Sequence, residues 1–450
     1  MKATIKVFGI FIILLIIVIA IPAFIPDEEY LPEVEQWLDY GKSHEEIPDE
    51  VNRFNAIVGF SVAADKDMVI EGARLVAEVN EKLDVASKNK GGSIELSHYW
   101  NNPPLTGKAG LYDDTTSAFK GEVVQWMLAN HDDYTELVDS NRVLLERFRR
   151  LMKMEQFSHT MKLHVNAPFV SYRNFLSIKR LNNLSIIDEF MTANKQNAIG
   201  RLKESISLSR LMLAQSVFLV DKMIANECLK IDLKTYSEIL DQSPAETGSY
   251  IEIANLQKEE RSMLNAVKGE FSFLSTSLYS EEIYSFDGYS SDPYFFESFL
   301  MKAYIKPRTL ENNAYKNVWL PFLELEDQSF ASREEMVVGI YGGKVSWWQI
   351  YKDPLGYVLS AIAIPAYESY IAKIDHVDAT ISLLNLKASI YFNNISPDDV
   401  GSYISSLDAV MNSAYTGARF IWDKDKHELS FDVPNYKNEN IPVIRLNIKV

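Results

Sequence analysis

The sequence predicts a mainly α protein, with a helical-bundle body and a small C-terminal antiparallel β-sheet (α+β), preceded by one N-terminal transmembrane helix. Three observations lead to this fold class. An uncharged apolar run lies near the N-terminus, and apolar residues return at three- and four-residue spacing through most of the body. From residue 420 onward the pattern changes to an alternation of apolar and polar residues, which is typical of strands.

Residues 7–25 are nineteen consecutive residues without a charge. A helix of this length spans roughly 28 Å, close to a hydrocarbon core of about 30 Å. Lys2 and Lys6 precede the run and Asp27 follows it, so the positive-inside rule places the N-terminus in the cytoplasm. We therefore expect a single-pass protein of the inner (cytoplasmic) membrane, with its lipid contact at residues 7–25 and its body in the periplasm if the source is Gram-negative.

A cleaved signal peptide is the competing interpretation of the same run. Val18, Ile19 and Ala20 have the small or branched side chains that precede a cleavage site. A signal peptide's apolar region usually has about 7 to 15 residues, however, and this run is longer. Both interpretations export the rest of the chain.

Composition excludes several classes of protein. The chain has 450 residues and a formal charge of −17, and Lys2 and Lys6 are the only charged residues before Asp27, so the body is strongly acidic. Such a body is repelled by nucleic acid, which we do not expect as a partner. Cys228 is the only cysteine, so no intramolecular disulfide can form, and its apolar surroundings predict a buried thiol.

The pattern along the chain predicts an anchor, a stalk and a body in several parts. The long helix at 197–229 is nearly all apolar in its second half, and its uncharged core at 211–220 is too short to span a bilayer, so we expect it to be the central buried helix. The predicted segments are 1–26 (cytoplasmic tip and anchor), 27–52 (acidic stalk), 53–270 (helical domain), 271–330 (aromatic-rich connection) and 331–450 (helical segment with a small sheet).

Other helices are predicted at 68–86, 118–130, 133–157, 315–324 and 354–384, the last with Pro365 as a kink or boundary. In the helix at 133–157, apolar residues form a stripe opposite a basic face. The residues of that face are Arg142, Arg147, Arg149, Arg150 and Lys153. Strands are predicted at 420–422, 429–433 and 444–450.

Three parts of the sequence resemble a set of single-span envelope proteins of proteobacteria. They are the segment from Asn55 to Phe60 with the following Gly72 to Val76 and Asn80, the helix end from Ser216 to Ala225, and the ending Tyr415 to Trp422 with Leu429 to Phe431. The resemblance implies an envelope location. It implies no activity, cofactor or catalytic residue.

The familiar motifs of nucleotide, zinc, calcium and Ser-hydrolase sites are absent, so no cofactor or metal is expected and no catalytic residue is assigned. Ser87 and Lys90 have the spacing of a Ser-Lys nucleophile, but they precede a Gly-Gly loop at a helix end. Asp375, His376 and Asp378 form the best local cluster for acid-base chemistry. A charged group of this kind on a helix usually lies on a solvated face, and this is the interpretation we favour.

Two aromatic-rich segments are the candidate binding sites. Trp347, Trp348 and Tyr351 follow a Gly-Gly pair, and Tyr294 and Phe295 lie within a run of aromatic residues. Exposed rings could stack on sugars or on a partner's apolar side chains. The alternative is that they pack a loop onto the core, since aromatic side chains bury large areas.

Two functions remain open from the sequence. The first is a membrane-anchored periplasmic binding or scaffold protein, whose partners are envelope proteins or a cell-wall component. The alternative is an anchored hydrolase of cell-wall glycan, which requires two carboxylates about 5 to 9.5 Å apart beside exposed rings.

Overall fold

A computed structural model of the chain describes twelve parts of the sequence. These are residues 26–40, 47–88, 111–164, 167–168, 170, 172–192, 194–243, 251–278, 306–326, 354–407, 419–432 and 444–445, side chains being described for most of them. The described part is mainly helical and has a small antiparallel sheet, which confirms that portion of the predicted fold class.

The helices are numbered here in chain order. They are α1 (Pro32–Tyr40), α2 (Arg53–Val58), α3 (Met68–Lys88), α4 (Leu111–Lys120), α5 (Val123–Ala129), α6 (His131–Ser140), α7 (Arg142–Met152), α8 (Arg173–Thr192), α9 (Lys195–Gln215), α10 (Leu219–Gln242), α11 (Lys258–Arg261), α12 (Leu264–Leu278), α13 (Pro307–Ala314), α14 (Leu320–Glu326), α15 (Pro354–Phe392) and α16 (Val400–Ser406). A 3-10 turn at Asp49–Val51 precedes α2, and a π-helical turn at Tyr315–Trp319 joins α13 to α14.

Helices α8, α9 and α10 pack against one another at the centre of the body, and α15 packs on α10. Buried residues occur on all sides of α10, including Leu229, Ile231 and Leu233, which are 0 to 3% exposed. Helix α10 is therefore buried along most of its length, although Lys230 and Gln242 are exposed. Cys228 is buried among these residues, as predicted, and burial raises the pKa of its thiol to about 12.

Helices α2 and α3 cross at two glycines. A Cβ atom at Gly59 would lie 1.9 Å from the Met68 carbonyl oxygen, and one at Gly72 would lie 1.8 Å from the Asn55 carbonyl oxygen. The two backbones therefore approach to a distance that only glycine permits. Asn52 caps α2, because its side-chain oxygen accepts a 3.0 Å hydrogen bond from the Phe54 N–H.

The segment predicted as an acidic stalk packs on the body over its described residues. Val34 and Trp37 on α1 are buried, and the Trp37 ring contacts Phe271 of α12 and Tyr315 edge-on, at centroid distances of 5.6 and 5.0 Å. The apolar side of α1 is covered by α12. The domain boundaries given above stay a prediction.

The sheet has the order β1 (Arg419–Asp423), β2 (Glu428–Asp432), β3 (Ile444–Arg445), and both pairings are antiparallel. Phe420 lies opposite Phe431, and Trp422 opposite Leu429. Leu429 and Phe431 are buried against the same core as the central helices, which confirms the predicted hairpin at the C-terminal end. The remaining residues of the predicted third strand lie outside the described residues.

Several predicted helices differ in the structure. The single helix expected at 197–229 is two helices, α9 and α10, separated by residues 216–218. The one expected at 133–157 is divided at Asn141 between α6 and α7. Helix α15, in contrast, continues through Pro365, where we expected a kink or boundary.

The predicted basic face on α7 is also incomplete, because Arg147 points inward. Its guanidinium donates to the carbonyl oxygens of Phe60, Val62, Ala63 and Lys66 over 2.6 to 3.0 Å. Arg147 therefore holds the turn between α2 and α3 in place. The sequence pattern predicted Arg147 on the basic face, because the pattern does not show that four backbone carbonyls need a hydrogen-bond donor.

No helix within the described ranges is long and apolar enough to cross a membrane. The predicted anchor at residues 7–25 lies outside those ranges, so it stays a prediction.

Candidate functional site

The break between α9 and α10 is stabilised by side chains that satisfy the free carbonyls at the end of α9. Ser216 Oγ donates to the Met212 carbonyl oxygen at 2.6 Å. Lys222 Nζ donates to the carbonyl oxygens of Leu213 and Ser262 at 2.8 and 2.6 Å. The last four carbonyls of a helix lack partners within the helix, so these donors allow α9 to end inside the protein.

Two carboxyl groups satisfy the N–H groups at the start of α10. Glu270 Oε1, from α12, accepts a 3.1 Å hydrogen bond from the Leu219 N–H. Asp221, the third residue of α10, accepts from the Phe218 N–H. The Tyr172 hydroxyl donates a 2.7 Å hydrogen bond to Asp221 Oδ1. Carboxylates are favoured at this end of a helix, which carries partial positive charge.

These two carboxyls have raised pKa values. Burial raises the pKa of Asp221 to about 6, although the hydrogen bonds from Tyr172 and Phe218 oppose it. Burial raises the pKa of Glu270 to about 7, and the charge of Asp221 adds to the effect. Both groups therefore exchange protons close to neutral pH, where ordinary carboxyls are fully ionised.

A cleft lined by Asp221 lies at the start of α10, and we call it the helix-break cleft. Its walls are mostly apolar. His159 contacts the rings of Phe54 and Phe218 at centroid distances of 4.3 and 5.4 Å, and Phe273 contacts Phe218 at 5.8 Å. The lining residues are Phe54, His159, Met161, Lys162, Ala167, Pro168, Val170, Phe218, Asp221 and Phe273.

Helix α12 reaches the break only because Gly269 has no side chain. A Cβ atom there would lie 1.9 Å from the Val217 carbonyl oxygen. The helix-break cleft encloses about 340 Å³ between its walls and mouth, but the space inside holds about one water molecule. Asp221 is the carboxyl group that lines the cleft, next to its aromatic rings.

A second cluster of reactive residue types is buried between α8, α9 and α10. Lys179 Nζ lies 2.6 Å from both carboxylate oxygens of Asp232, 2.6 Å from Ser205 Oγ and 3.1 Å from Ser209 Oγ. Asn183 adds a 2.9 Å hydrogen bond to Asp232. A Ser hydroxyl beside a Lys amine is a known nucleophile arrangement.

This buried cluster is closed to substrates. Lys179 and Asp232 are both 0% exposed, and the two serine hydroxyls also donate to Asp232, at 2.8 and 2.7 Å. The amine is paired with the Asp232 carboxylate, and both side chains are closed off from solvent. Its role is to join three helices.

The cluster at 375–378 does not lie on the solvated face that we predicted. Asp375 and Asp378 are 1 and 2% exposed. Asp378 Oδ1 accepts hydrogen bonds from the Leu256 N–H at 2.7 Å and the Asn255 side chain at 3.1 Å, and so holds the extended segment before α11. Burial and the charge of Lys230 lower the pKa of His376 to about 4.

A wide groove runs along α9 beside the extended segment 251–254, and we call it the α9 groove. It encloses about 950 Å³, much of it open to solvent. Its floor is apolar and its rim carries both charges, with Lys203 and Glu252 exposed. The lining residues are Lys203, Ile206, Ser207, Arg210, Leu211, Ala214, Ile251, Glu252, Ile253, Ala254 and Glu260.

Arg210 builds one wall of the α9 groove. Its guanidinium makes a two-point ion pair with Glu260, with both N···O distances 2.7 Å, and donates to the Ala254 carbonyl oxygen at 2.6 Å. The extended segment is thereby tied to α9 at one edge, while the tyrosine hydroxyl of Tyr236 ties it at Ile251. The groove is a preformed surface on rigid elements.

The sequence-predicted binding residues Trp347, Trp348, Tyr351, Tyr294 and Phe295 lie outside the described residues, so their role stays a prediction. Within the described ranges, no group of three or more His, Cys, Asp or Glu residues could hold a metal ion.

The carboxyls of Asp221 and Glu270 at the start of α10 were not predicted from the sequence. The available signal was Asp221 three residues after Phe218, which is the spacing of a helix start, but the apolar periodicity across 211–220 concealed the break. Glu270 could not be found, because it reaches α10 from a different helix.

Comparison with known proteins finds no matching family model, no matching curated protein and no matching solved structure.

Proposed function

We propose that this chain is a single-pass protein of the cytoplasmic membrane whose helical body lies in the periplasm and binds other envelope proteins or a cell-wall component. The uncharged run at 7–25, with Lys2 and Lys6 before it and acidic residues after it, supports the membrane attachment and its direction.

The α9 groove is the observation that carries the binding function. It combines an apolar floor at Ile206 and Leu211 with an exposed cation and an exposed anion at its rim, Lys203 and Glu252. Such a surface fits an amphipathic segment of a partner protein, whose apolar side chains enter the groove while its charges pair at the rim. The clusters at Lys179 and Asp378, in contrast, are committed to holding the fold.

Site-specific crosslinking in intact cells tests this proposal. A photo-crosslinking phenylalanine analogue replaces Ser207, which is exposed in the groove, and in a matched variant it replaces Ser140, which is exposed at the end of α6. We expect adducts with a distinct envelope protein from position 207 only. Equal products from both positions, or none from either, would contradict binding at the α9 groove.

Asp221, which lines the helix-break cleft, and Glu270, which accepts from the Leu219 N–H at the start of α10, support a second candidate function, an anchored hydrolase of cell-wall glycan. Glu270, with a pKa of about 7, could donate a proton near neutral pH, and Asp221 could act as the ionised partner. The narrow cleft and the capping hydrogen bonds weigh against it. Release of soluble fragments from purified cell wall by the full chain, lost in E270Q and D221N but kept in E252Q, would support this function.

A further inference from the structure

Asp27, the second of the described residues, is already hydrogen-bonded to the body. Asp27 Oδ1 accepts hydrogen bonds from the Thr309 N–H and hydroxyl, both 2.9 Å, and its Oδ2 accepts from the Arg308 N–H at 3.2 Å. Lys306, the N-cap residue of α13, makes no side-chain capping hydrogen bond. Asp27 thus caps a helix that lies about 280 residues later in the chain.

The next residues continue the same contact. The Glu28 N–H donates to Thr309 Oγ1 at 3.2 Å. Asn312 holds the backbone at two points, since its Nδ2 donates to the Glu29 carbonyl oxygen at 2.8 Å and its Oδ1 accepts from the Leu31 N–H at 3.1 Å. We call residues 27–31 with α13 the N-terminal contact. It leaves no flexible linker between Asp27 and the body.

The uncharged run in the sequence ends at residue 25, two residues before Asp27. Two residues extend at most about 7 Å. If the run crosses the bilayer as proposed above, the start of α13 is therefore held at the headgroup region. A tyrosine and an arginine lie there together, with the Arg308 guanidinium 5.4 Å from the centre of the Tyr30 ring. These residue types are enriched or tolerated at the membrane interface.

We propose that the N-terminal contact holds the body in one orientation, with the start of α13 and the Tyr30–Arg308 pair against the phospholipid headgroups of the outer leaflet. The partner of this surface is the zwitterionic or weakly charged headgroup layer, because Asp27, Glu28 and Glu29 would be repelled by a strongly anionic one. This inference rests on the proposed membrane attachment. A body held in this way presents its other surfaces at a fixed orientation to the membrane.

A fluorescent label read against quencher lipids tests the orientation. The full-length chain is reconstituted into liposomes with nitroxide groups at headgroup depth, and the label is placed on R308C or on R142C. Arg308 is distant from the N-terminus in sequence, so its label approaches the bilayer only if the body is held there. Arg142 is a matched exposed arginine on α7. Cys228 is buried and leaves the background low.

We expect several-fold stronger quenching at position 308 than at position 142. Two further variants in the R308C background should reduce it to the level of position 142. D27A removes the cap of α13, and a six-residue Gly-Ser insertion between Pro26 and Asp27 keeps the contact but adds roughly 13 Å of flexible spacer. The insertion covers the case in which D27A fails to fold.

Equal quenching at positions 308 and 142, or quenching that the insertion leaves unchanged, would overturn the fixed orientation. Failure of the proposed membrane attachment has a different signature, because the full-length chain would then not float with the liposomes at all.

Discussion

Helix α10 carries two aspartates that the fold treats in opposite ways. Asp232 is 0% exposed, but it faces Lys179 and receives further hydrogen bonds from Ser205, Ser209 and Asn183. Asp221 lies at the start of the helix and receives only hydrogen bonds from the neutral groups of Tyr172 and Phe218. The two residues show two ways of holding a carboxylate: Asp232 pairs with an opposite charge, whereas Asp221 accepts hydrogen bonds from neutral groups and burial raises its pKa to about 6.

Removing the carboxylate of the Lys179–Asp232 ion pair should have the largest effect on stability. D232A leaves the amine of Lys179 buried without a counter-charge, so we expect a loss of about 3–5 kcal/mol in the free energy of unfolding. Urea unfolding followed by circular dichroism measures it. The double variant K179M/D232L removes both charges and should be more stable than D232A; a loss below about 1 kcal/mol in D232A would refute the assigned role.

Glu270, which like Asp221 accepts a hydrogen bond from a neutral backbone group, should show its effect through the pH dependence of stability. The folded pKa of Glu270, about 7, is above the unfolded value of 4.5, so the folded state binds more protons between these values and its stability falls as pH rises through this window. E270Q cannot titrate. We expect its stability relative to the wild type to increase by about 2–3 kcal/mol from pH 4 to pH 8.

Thermal unfolding across this pH range measures the difference, and comparing each variant with the wild type cancels the opposing contribution of His376. The folded pKa of His376, about 4, is below its unfolded value, so its contribution to stability rises with pH over the same range. E252Q, at an exposed carboxylate, is the control and should leave the pH dependence unchanged. A parallel pH profile for E270Q and the wild type would contradict the raised pKa of Glu270.

The position of Glu270 depends on the glycine next to it, and this can be tested separately. G269A places a methyl group against the Val217 carbonyl oxygen, so α12 must shift, and we expect a loss of about 1–3 kcal/mol. G200A, in α9, has open space around the added methyl group and should gain up to about 1 kcal/mol from the higher helix propensity of alanine. Melting temperatures of the two variants should therefore move in opposite directions.

Breaking a solvent-exposed ion pair should have the smallest effect on stability. Arg142 and Asp139 lie 3.3 Å apart, but their side chains are 71 and 66% exposed. We expect R142A to change the free energy of unfolding by less than about 0.5 kcal/mol, because solvent screens the pair. A loss similar to that of D232A would show that burial is not what separates the two kinds of site.

Helix α3 and the C-terminal β-hairpin could be predicted from the sequence, because the periodicity of their apolar residues is uninterrupted. The prediction failed where one helix stops and another begins without glycine or proline between them. Residues 216–218 have apolar and small side chains that fit a helix, and the chain leaves the helix there because Ser216, Lys222 and Glu270 satisfy the freed backbone groups. Such partners are distant in sequence and give no local signal.

The same limit applies to the candidate site. The sequence showed many carboxylates but not which of them are buried, so the expected solvated cluster at Asp375 and Asp378 is buried and the carboxyls at Asp221 and Glu270 were not singled out. Burial depends on the packing of several elements, and no single stretch of sequence contains it.

The mainly helical class, the C-terminal hairpin and the buried state of Cys228 could be predicted from the sequence, because they follow from the spacing of apolar residues along one local stretch. The places where charges act became clear only from the folded structure. Arg147 donates to four carbonyls of a turn, Asp232 joins three helices, and Asp27 caps a helix that the chain reaches some 280 residues later. Electrostatic and hydrogen-bond energies depend on distances in space, and those distances exist only after the chain has folded.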